Sequence, residues 1–243
     1  MSDNTHTDTT PTVVLVHGAF VDASSWNGVI AELKAAGLDV VAPPNLLRGV
    51  GAAYLTGFVE ALGRPAVLVG HSYAGAVISQ TGSDARNVAG LVYVAAYAPQ
   101  AGETLAAINA RYPAVPLAAA LRTFTYTDER SEQATDTFVD AALFHDAVCA
   151  EAPADVADTL ARTQRPASLA AFATAVTGTP ACQRLPSWAV VATADHAIHP
   201  QAERDMAKRA GSETTEINAS HAVPATHPAD VAAVIVRAVK AIR

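Results

Sequence analysis

Short apolar segments alternate with longer amphipathic segments along most of this chain, and this alternation limits the folds that it can adopt. The predicted strands are Thr12–His17, Asp39–Ala42, Ala66–Gly70, Val88–Ala95, Trp188–Thr193 and Glu213–Asn218. The predicted helices are Ser25–Ala36, Ala52–Leu62, Tyr73–Thr81, Pro200–Ala210 and Pro228–Ile242. Strands that alternate with helices in this way form a parallel sheet covered on both faces. The sequence therefore predicts an α/β fold, with a mostly parallel wound sheet and helices on both faces.

The alternation stops between Tyr97 and Pro186, where the chain shows Ala-rich helical segments and no convincing strand. These segments are Glu103–Arg111, Glu132–Phe144, Ala154–Thr163 and Ser168–Ala175. A block of this length without a strand would be unusual inside a regularly alternating sheet. We therefore interpret residues 97–186 as an inserted helical cap. The core then comprises residues 12–96 and 187–243, preceded by a flexible tail at residues 1–11.

Composition excludes several classes of function. The 243 residues are 51% hydrophobic and 16% charged, which is enough apolar material for one large core. The net charge of −7 and the lack of Lys and Arg clusters argue against a nucleic-acid partner. Neither Cys149 nor Cys182 has a metal-ligand spacing. With no secretory signal and no apolar run of ~18 residues, we expect a cytoplasmic protein that does not bind membranes, and a homodimer is left open.

The segment AVLVGHSYAG, residues 66–75, takes an apolar strand through Ser72 directly into a helix. A sharp turn of this kind exposes the serine hydroxyl and requires small residues two positions before and two positions after it. Gly70 and Ala74 meet this requirement. A serine at this place could instead simply cap the helix. The strand before it and the apolar helix after it favour a nucleophilic role for Ser72.

A serine that attacks a carbonyl group needs two backbone N–H donors for the oxygen that becomes negative. The residue after the nucleophile, Tyr73, supplies one of them in this type of turn. The first strand is followed by Val16-His-Gly-Ala-Phe20, and we expect the N–H of Ala19 to be the second donor, with Phe20 as the alternative. Gly18 alone would also suit a simple turn. We interpret His17 as a structural residue that holds this loop by hydrogen bonds.

The general base and its acid should follow the serine in the order serine, acid, histidine. Asp195 comes directly after one of the late predicted strands, and His221 comes after the next one. Both therefore lie at the carboxyl edge of the sheet, where wound α/β proteins place their sites. We predict that His221 takes the proton of Ser72 and that Asp195 orients the imidazole of His221.

Three other histidines in this region are less suited to act as the general base. His196 and His199 lie in the same loop as Asp195, so we interpret them as surface or rim residues. His227 precedes the proline that opens the last helix, and we interpret it as structural.

The segments VLVHGAF, VGHSYAGAVI, VYVAAYAP, ATADHAI and ASHAVPATHPADVA resemble bacterial members of the α/β-hydrolase superfamily close to the plant methylesterases and hydroxynitrile lyases. The resemblance runs from about Val13 to the C-terminus and is weakest in the cap. It implies the α/β-hydrolase fold, the catalytic triad Ser72, Asp195 and His221, and an oxyanion hole formed by the N–H groups of Ala19 and Tyr73. This chemistry needs neither a metal nor an organic cofactor. The resemblance does not imply a particular substrate.

The expected function is that of a carboxylesterase that cleaves a small or medium, largely apolar ester through an acyl-enzyme on Ser72. The same groups would cleave an amide, carbamate, lactone or thioester, because the tetrahedral intermediate is shared. Related hydroxynitrile lyases carry a threonine and a lysine where this chain has Gly18 and Ala222-Val223, which disfavours lyase activity. Dehalogenases and epoxide hydrolases use an aspartate where Ser72 stands. A ligand-binding receptor that retains the triad is a further alternative.

The substrate pocket should be lined by apolar residues of the cap and of the loops around the serine. As possible substrate-binding residues we name Phe20, Tyr97, Phe124 and Phe144. The apolar residues of the cap that are available to form the pocket wall are Tyr112, Phe124, Tyr126, Phe138, Leu143, Phe144 and Phe172.

Overall fold

The computed structural model describes residues 10–49 and 52–242. Its strands are β1 (Thr12–Val16), β2 (Val40–Val41), β3 (Ala66–His71), β4 (Val88–Val94), β5 (Leu121–Thr127), β6 (Gln133–Val139), β7 (Ala167–Ser168), β8 (Ser187–Ala192) and β9 (Glu213–Ile217). Its helices are α1 (Asn27–Ala35), α2 (Ala53–Ala61), α3 (Ala74–Asp84), α4 (Leu105–Asn109), α5 (Pro116–Ala120), α6 (Phe144–Val148), α7 (Ala154–Thr163), α8 (Leu169–Ala173), α9 (Pro200–Ala210), α10 (Val223–Thr226) and α11 (Pro228–Ile242). Short 3-10 helices lie at Ala23–Trp26 and Ala181–Gln183. Most of the predicted tail, residues 1–9, lies outside the described residues.

The main sheet has six strands in the order β2-β1-β3-β4-β8-β9, and every pairing in it is parallel. Alternate residues of its central strands enter two separate apolar cores, as the pleat of a strand requires. Val13 and Leu15 of β1 face the core that contains α1 and α11, whereas Val14 and Val16 face the core that contains α2, α3 and α9. The predicted mostly parallel wound sheet with helices on both faces is confirmed.

The segment between β4 and β8 differs from the expected helical cap. It contains short helices, but also an antiparallel sheet in the order β5-β6-β7. The predicted helix at Glu132–Phe144 is wrong, because β6 occupies most of it and α6 begins only at Phe144. The sequences LRTFTYT and QATDTFV are rich in Thr, Phe and Tyr, which favour strands, and the side chain of Asp128 holds the turn between them. The limits of the cap and of the core remain predictions.

Two ion pairs join residues 97–186 to the core. Glu103 accepts hydrogen bonds of 2.9 Å from both terminal nitrogens of Arg209 on α9. Partial burial acts to raise the pKa of Glu103, but the hydrogen bonds from Arg209, Gln100 and Arg111 outweigh it and lower this pKa to about 2. Asp136 on β6, whose side chain is buried, pairs with Arg48 of the core. These contacts tie residues 97–186 to α9 and to the segment after β2.

None of the helices within residues 10–49 and 52–242 combines the length and the apolar character that crossing a membrane requires.

Candidate active site

Ser72 lies in a strained turn between β3 and α3. Its φ angle is +56°, a left-handed conformation that costs a residue other than glycine about 1–3 kcal/mol. The turn is tight, because a Cβ at Gly70 would lie only 2.8 Å from the carbonyl oxygen of Ala74. At Gly75 a Cβ would lie 2.0 Å from the carbonyl oxygen of Tyr97. The small residues that the sequence places around Ser72 are therefore required by the close approach of strand and helix.

The structure brings together the three residues predicted to form the triad. The Oγ of Ser72 lies 2.8 Å from Nε2 of His221, and Nδ1 of His221 lies 2.6 Å from Oδ2 of Asp195. Asp195 follows β8, His221 follows β9, and the three side chains meet at the carboxyl edge of the sheet. All three residues are buried.

The surroundings of Asp195 keep it ionised. Its Oδ1 accepts hydrogen bonds from the backbone N–H groups of Ala197, at 2.6 Å, and Ile198, at 2.9 Å. Burial acts to raise the pKa of Asp195, but the proximity of His221 and these hydrogen bonds lower it below its ordinary value. An ionised Asp195 accepts the Nδ1–H of His221, which leaves Nε2 free to accept the hydroxyl proton of Ser72. The arrangement can therefore convert a serine into a nucleophile.

The loop after β1 packs directly against the serine turn. A Cβ at Gly18 would lie 2.8 Å from Cβ of Ser72 and 3.0 Å from Nδ1 of His71. The next residue, Ala19, lines a cavity of about 20 Å³ together with Ser72 and His221. In the described part of the chain, the N–H groups of Ala19, Phe20 and Tyr73 donate to no protein acceptor. These N–H groups are thus available for an oxyanion, and the pair Ala19 and Tyr73, with Phe20 as the alternative, stays a prediction.

His17 holds this loop in place. It donates its Nδ1–H to the carbonyl oxygen of Gly18, at 2.9 Å, while its Nε2 accepts the N–H of Asn45, also at 2.9 Å. The side chain of Asn45 in turn donates to the carbonyl oxygen of His17. Burial lowers the pKa of His17, so that the imidazole is neutral as this pattern of donors and acceptors requires. These bonds agree with the structural role expected for His17.

Two residues that the sequence analysis did not single out hold the loop of His221. His71 is fully buried and donates from Nε2 to the carbonyl oxygen of His221 at 2.9 Å. Burial lowers the pKa of His71 to about 3. From the cap, Oε1 of Glu151 accepts the N–H of Ser220 at 3.0 Å and the hydroxyl of Thr226 at 2.8 Å. His71 could have been found from the sequence because it directly precedes Ser72. Nothing in the sequence pointed to Glu151, because its partners are remote in the chain.

A second cavity of about 440 Å³ lies next to the small cavity at Ser72. Five residues line both cavities, namely Phe20, Tyr97, Leu117, Phe172 and Ala197. The other described residues that line the larger cavity are mostly Ala, Leu, Val and Pro, and none of them is Asp, Glu, Lys or Arg. The cavity therefore suits an uncharged, apolar group placed beside the serine.

The predicted substrate-binding residues divide into two pairs. Phe20 and Tyr97 line both cavities, as expected. Phe124 and Phe144 line neither, which corrects the prediction. Phe124 is 43% exposed and its ring packs beside those of Tyr126 and Phe138, whereas Phe144 is fully buried in the core. Of the seven apolar cap residues named for the pocket wall, two line the larger cavity, Tyr112 and Phe172.

The three other histidines considered for the general base do not line the small cavity at Ser72. His199 caps the start of α9 by accepting the N–H of Gln201, and its ring stacks on that of Tyr112 at the edge of the larger cavity. His196 donates to the carbonyl oxygen of Asp146 near the surface. His227 contacts the hydroxyl of Thr226. Within the described ranges, no group of three or more His, Cys, Asp or Glu side chains is arranged to hold a metal ion.

Comparison with known proteins identifies both family and fold. Residues 13–234 match the model of the alpha/beta hydrolase family. Polyneuridine aldehyde esterase has a TM-score of 0.78 and 17% identity, covering 94% of this chain and 99% of the other. A methylesterase from Arabidopsis has a TM-score of 0.77 and 17% identity, covering 95% and 99%. A pyrethroid hydrolase from Sphingobium faniae JZ-2 has a TM-score of 0.71 and 20% identity, covering 95% and 98%. No curated protein sequence matches this chain.

Proposed function

The chain belongs to the alpha/beta hydrolase family, and we propose that it is a serine esterase that cleaves an uncharged, largely apolar ester through an acyl-enzyme on Ser72. One observation carries this proposal. The hydroxyl of Ser72, in a strained turn, is within hydrogen-bond distance of His221, whose other nitrogen donates to the buried Asp195. This geometry is the one that activates serine in acyl transfer.

The chemistry follows from these contacts. His221 takes the hydroxyl proton of Ser72 on Nε2 while Oγ attacks the carbonyl carbon of the ester, and Asp195 stabilises the resulting imidazolium. The N–H groups of Ala19 and Tyr73 stabilise the negative oxygen of the tetrahedral intermediate. His221 then gives its proton to the leaving alcohol. A water molecule repeats the sequence on the acyl-enzyme and releases the carboxylic acid.

The cavity of about 440 Å³ supports the proposed substrate class. A charged group would lose its hydration there without an oppositely charged partner, because no charged side chain is among the described residues that line the cavity. An aliphatic or aromatic group would instead gain from burial in proportion to its apolar area. The names of the three solved relatives, two esterases and a pyrethroid hydrolase, agree with ester cleavage.

Two other functions have less support. Lyase activity of the hydroxynitrile type would call for a threonine at position 18, but even a Cβ there would lie 2.8 Å from Cβ of Ser72. Cleavage of an amide, carbamate, lactone or thioester uses the same groups and remains an alternative to ester cleavage. A receptor that only binds its ligand would not need a serine activated by a hydrogen-bonded histidine and aspartate.

The experiment is a panel of p-nitrophenyl esters, lactones and carbamates, combined with labelling by a fluorophosphonate. We expect ester turnover and a phosphonate adduct on Ser72, identified by mass spectrometry. Ser72→Ala should lower kcat by at least ~10³, because only binding and the oxyanion hole then remain. Ser131→Ala, at an exposed residue of the β5–β6 turn, is the matched control. A folded protein that neither turns over the panel nor reacts with the phosphonate would contradict the proposal.

A further inference from the structure

Glu203 is a buried carboxyl group behind the catalytic acid. It lies on α9, which is otherwise strongly polar, and it is only 3% exposed. Its Oε2 accepts the backbone N–H of Ala192 at 3.0 Å. Ala192 is the last residue of β8, three positions before Asp195. Glu203 thus connects α9 to the part of the sheet edge that carries Asp195.

The surroundings of Glu203 do not favour a second negative charge. Its Oε1 is buried and accepts no hydrogen bond within the described part of the chain. Arg204, a cation that acts on Glu203, is itself occupied by Glu216 through two hydrogen bonds of 2.9 and 2.8 Å. Other titratable groups in these surroundings are His221 and His71, which act on Asp195, Tyr97, which acts on both carboxyl groups, and Tyr93, which lines a small cavity with Glu203. Burial, followed by the neighbouring charge of Asp195, raises the pKa of Glu203 well above its ordinary value.

A protonated Glu203 needs an acceptor for its hydrogen, and Asp195 is the acceptor at hand. The cavity of about 10 Å³ beside Glu203 has room for at most one water and is lined mainly by Ala and Val. The hydroxyl of Tyr93, which also lines it, is hydrogen-bonded to Ser79 at 2.8 Å. This cavity therefore offers few polar partners, whereas the carboxylate of Asp195 acts on Glu203 both through its charge and as a hydrogen-bonding group.

We propose that Glu203 is a positioning residue for the catalytic acid, in which Oε2 binds the N–H of Ala192 and Oε1 carries a proton that it donates to Asp195. This inference rests on the proposed role of Asp195 in catalysis. With the donors Ala197, Ile198 and His221, Glu203 completes the hydrogen bonds around the carboxylate. A carboxylate held from all sides keeps the imidazole of His221 in the orientation that the reaction needs.

The first test compares Glu203→Gln with Glu203→Leu. The amide of glutamine can accept the N–H of Ala192 and donate to Asp195, so this variant should keep most of the activity. Leucine has a similar size and can do neither. We expect Glu203→Leu to lower kcat about tenfold to a hundredfold, with little change in KM. In Glu203→Leu the carboxylate of Asp195 would lose a hydrogen-bond donor, and the pKa of Asp195 would rise. The decrease in kcat/KM on the acid side of the pH profile should therefore occur at higher pH in Glu203→Leu than in the wild type, and should not shift in Glu203→Gln.

The second test does not depend on activity. The infrared difference spectrum between the wild type and Glu203→Gln at neutral pH should show the C=O stretch of a protonated carboxylic acid in the wild type only. The absence of this band would overturn the proposal, as would a Glu203→Gln variant that loses as much kcat as Glu203→Leu. If Glu203→Leu does not fold, the infrared band and the activity of Glu203→Gln still test the proposal. If all forms lack esterase activity while the band is present, the proposed function fails and the protonated Glu203 is supported.

Discussion

Nε2 of His71 lies 2.9 Å from the carbonyl oxygen of His221, so the residue before Ser72 holds the loop that carries His221. The two imidazole rings are also in contact, with their centroids 4.8 Å apart. His71 is fixed in turn by the strained serine turn, against which Gly18 packs. The serine turn and the loop of His221 are therefore positioned relative to each other by a direct hydrogen bond as well as by the sheet.

His71 should make stability depend on pH. Its pKa is lowered from 6.5 to about 3 by burial, so the folded protein keeps it neutral while the unfolded chain binds a proton below 6.5. Its contribution to the free energy of unfolding is present above pH 6.5 and decreases as the pH falls towards 3. We expect His71→Gln, which can still donate to the carbonyl oxygen of His221, to lose less stability than the wild type between pH 7 and pH 5. Urea unfolding of both proteins at the two pH values measures this. An equal loss in both proteins would show that His71 is not the titrating group.

Asp195→Asn should lower kcat by about 10⁴ with little change in KM, because an asparagine side chain holds the imidazole of His221 in the wrong tautomer. Steady-state kinetics on the best ester of the panel measures the effect. Asp158→Asn, at an exposed position of α7, changes the charge equally and should leave kcat unchanged. A loss of less than about tenfold in Asp195→Asn would mean that another group orients His221.

Phe172 on α8 should control the size of the group that reaches Ser72. Its ring stacks on Phe20 with centroids 6.2 Å apart and lies 5.5 Å from the ring of Tyr73, between the two cavities that it lines. Phe172→Ala would join these cavities. We expect kcat/KM for bulky esters to rise relative to that for acetate esters, by a factor that corresponds to about 1–3 kcal/mol.

The matched control for this change is Phe124→Ala, which removes an exposed cap ring that lines neither cavity. The ranking of the ester panel should be the same in Phe124→Ala and the wild type. If Phe172→Ala also leaves the ranking unchanged, the passage between the cavities is not the specificity element.

Glu103→Gln should loosen the contact between cap and core. The pKa of Glu103 is lowered to about 2, so its contribution to stability is present above the ordinary value of 4.5 and is lost as the pH falls towards 2. Since Arg209 is partly exposed, we expect a loss of only about 1 kcal/mol at pH 7. Differential scanning calorimetry should show a lower Tm at pH 7 and a smaller difference near pH 3. Glu129→Gln, in the exposed β5–β6 turn, should have no effect, and a drop as large as that of Glu103→Gln would refute the assignment.

Local patterns determined the main sheet and the residues around Ser72. The strands β1, β3, β4 and β8 are apolar runs buried on both faces, so that composition alone marks them. The serine turn demands small residues close by in the chain, and this requirement is visible as Gly70 and Ala74. Asp195 and His221 could be assigned because each directly follows a late strand, and parallel strands end at the same edge.

Contacts between distant segments decided the β5–β6 hairpin, the lining of the pocket and the environment of the buried glutamates. The β5–β6 hairpin was missed because β5 is largely exposed and both strands are interrupted by Thr and charged residues, so that no apolar run marks them. The pocket was predicted only in part, because which aromatic rings face Ser72 depends on how the cap lies over the core. The residues that flank Glu203 and Glu151 in the sequence do not indicate that either side chain lies near the site. The effect of a carboxyl group depends on the charges and donors within a few ångströms of it, and in this protein those groups are brought together only by the tertiary structure.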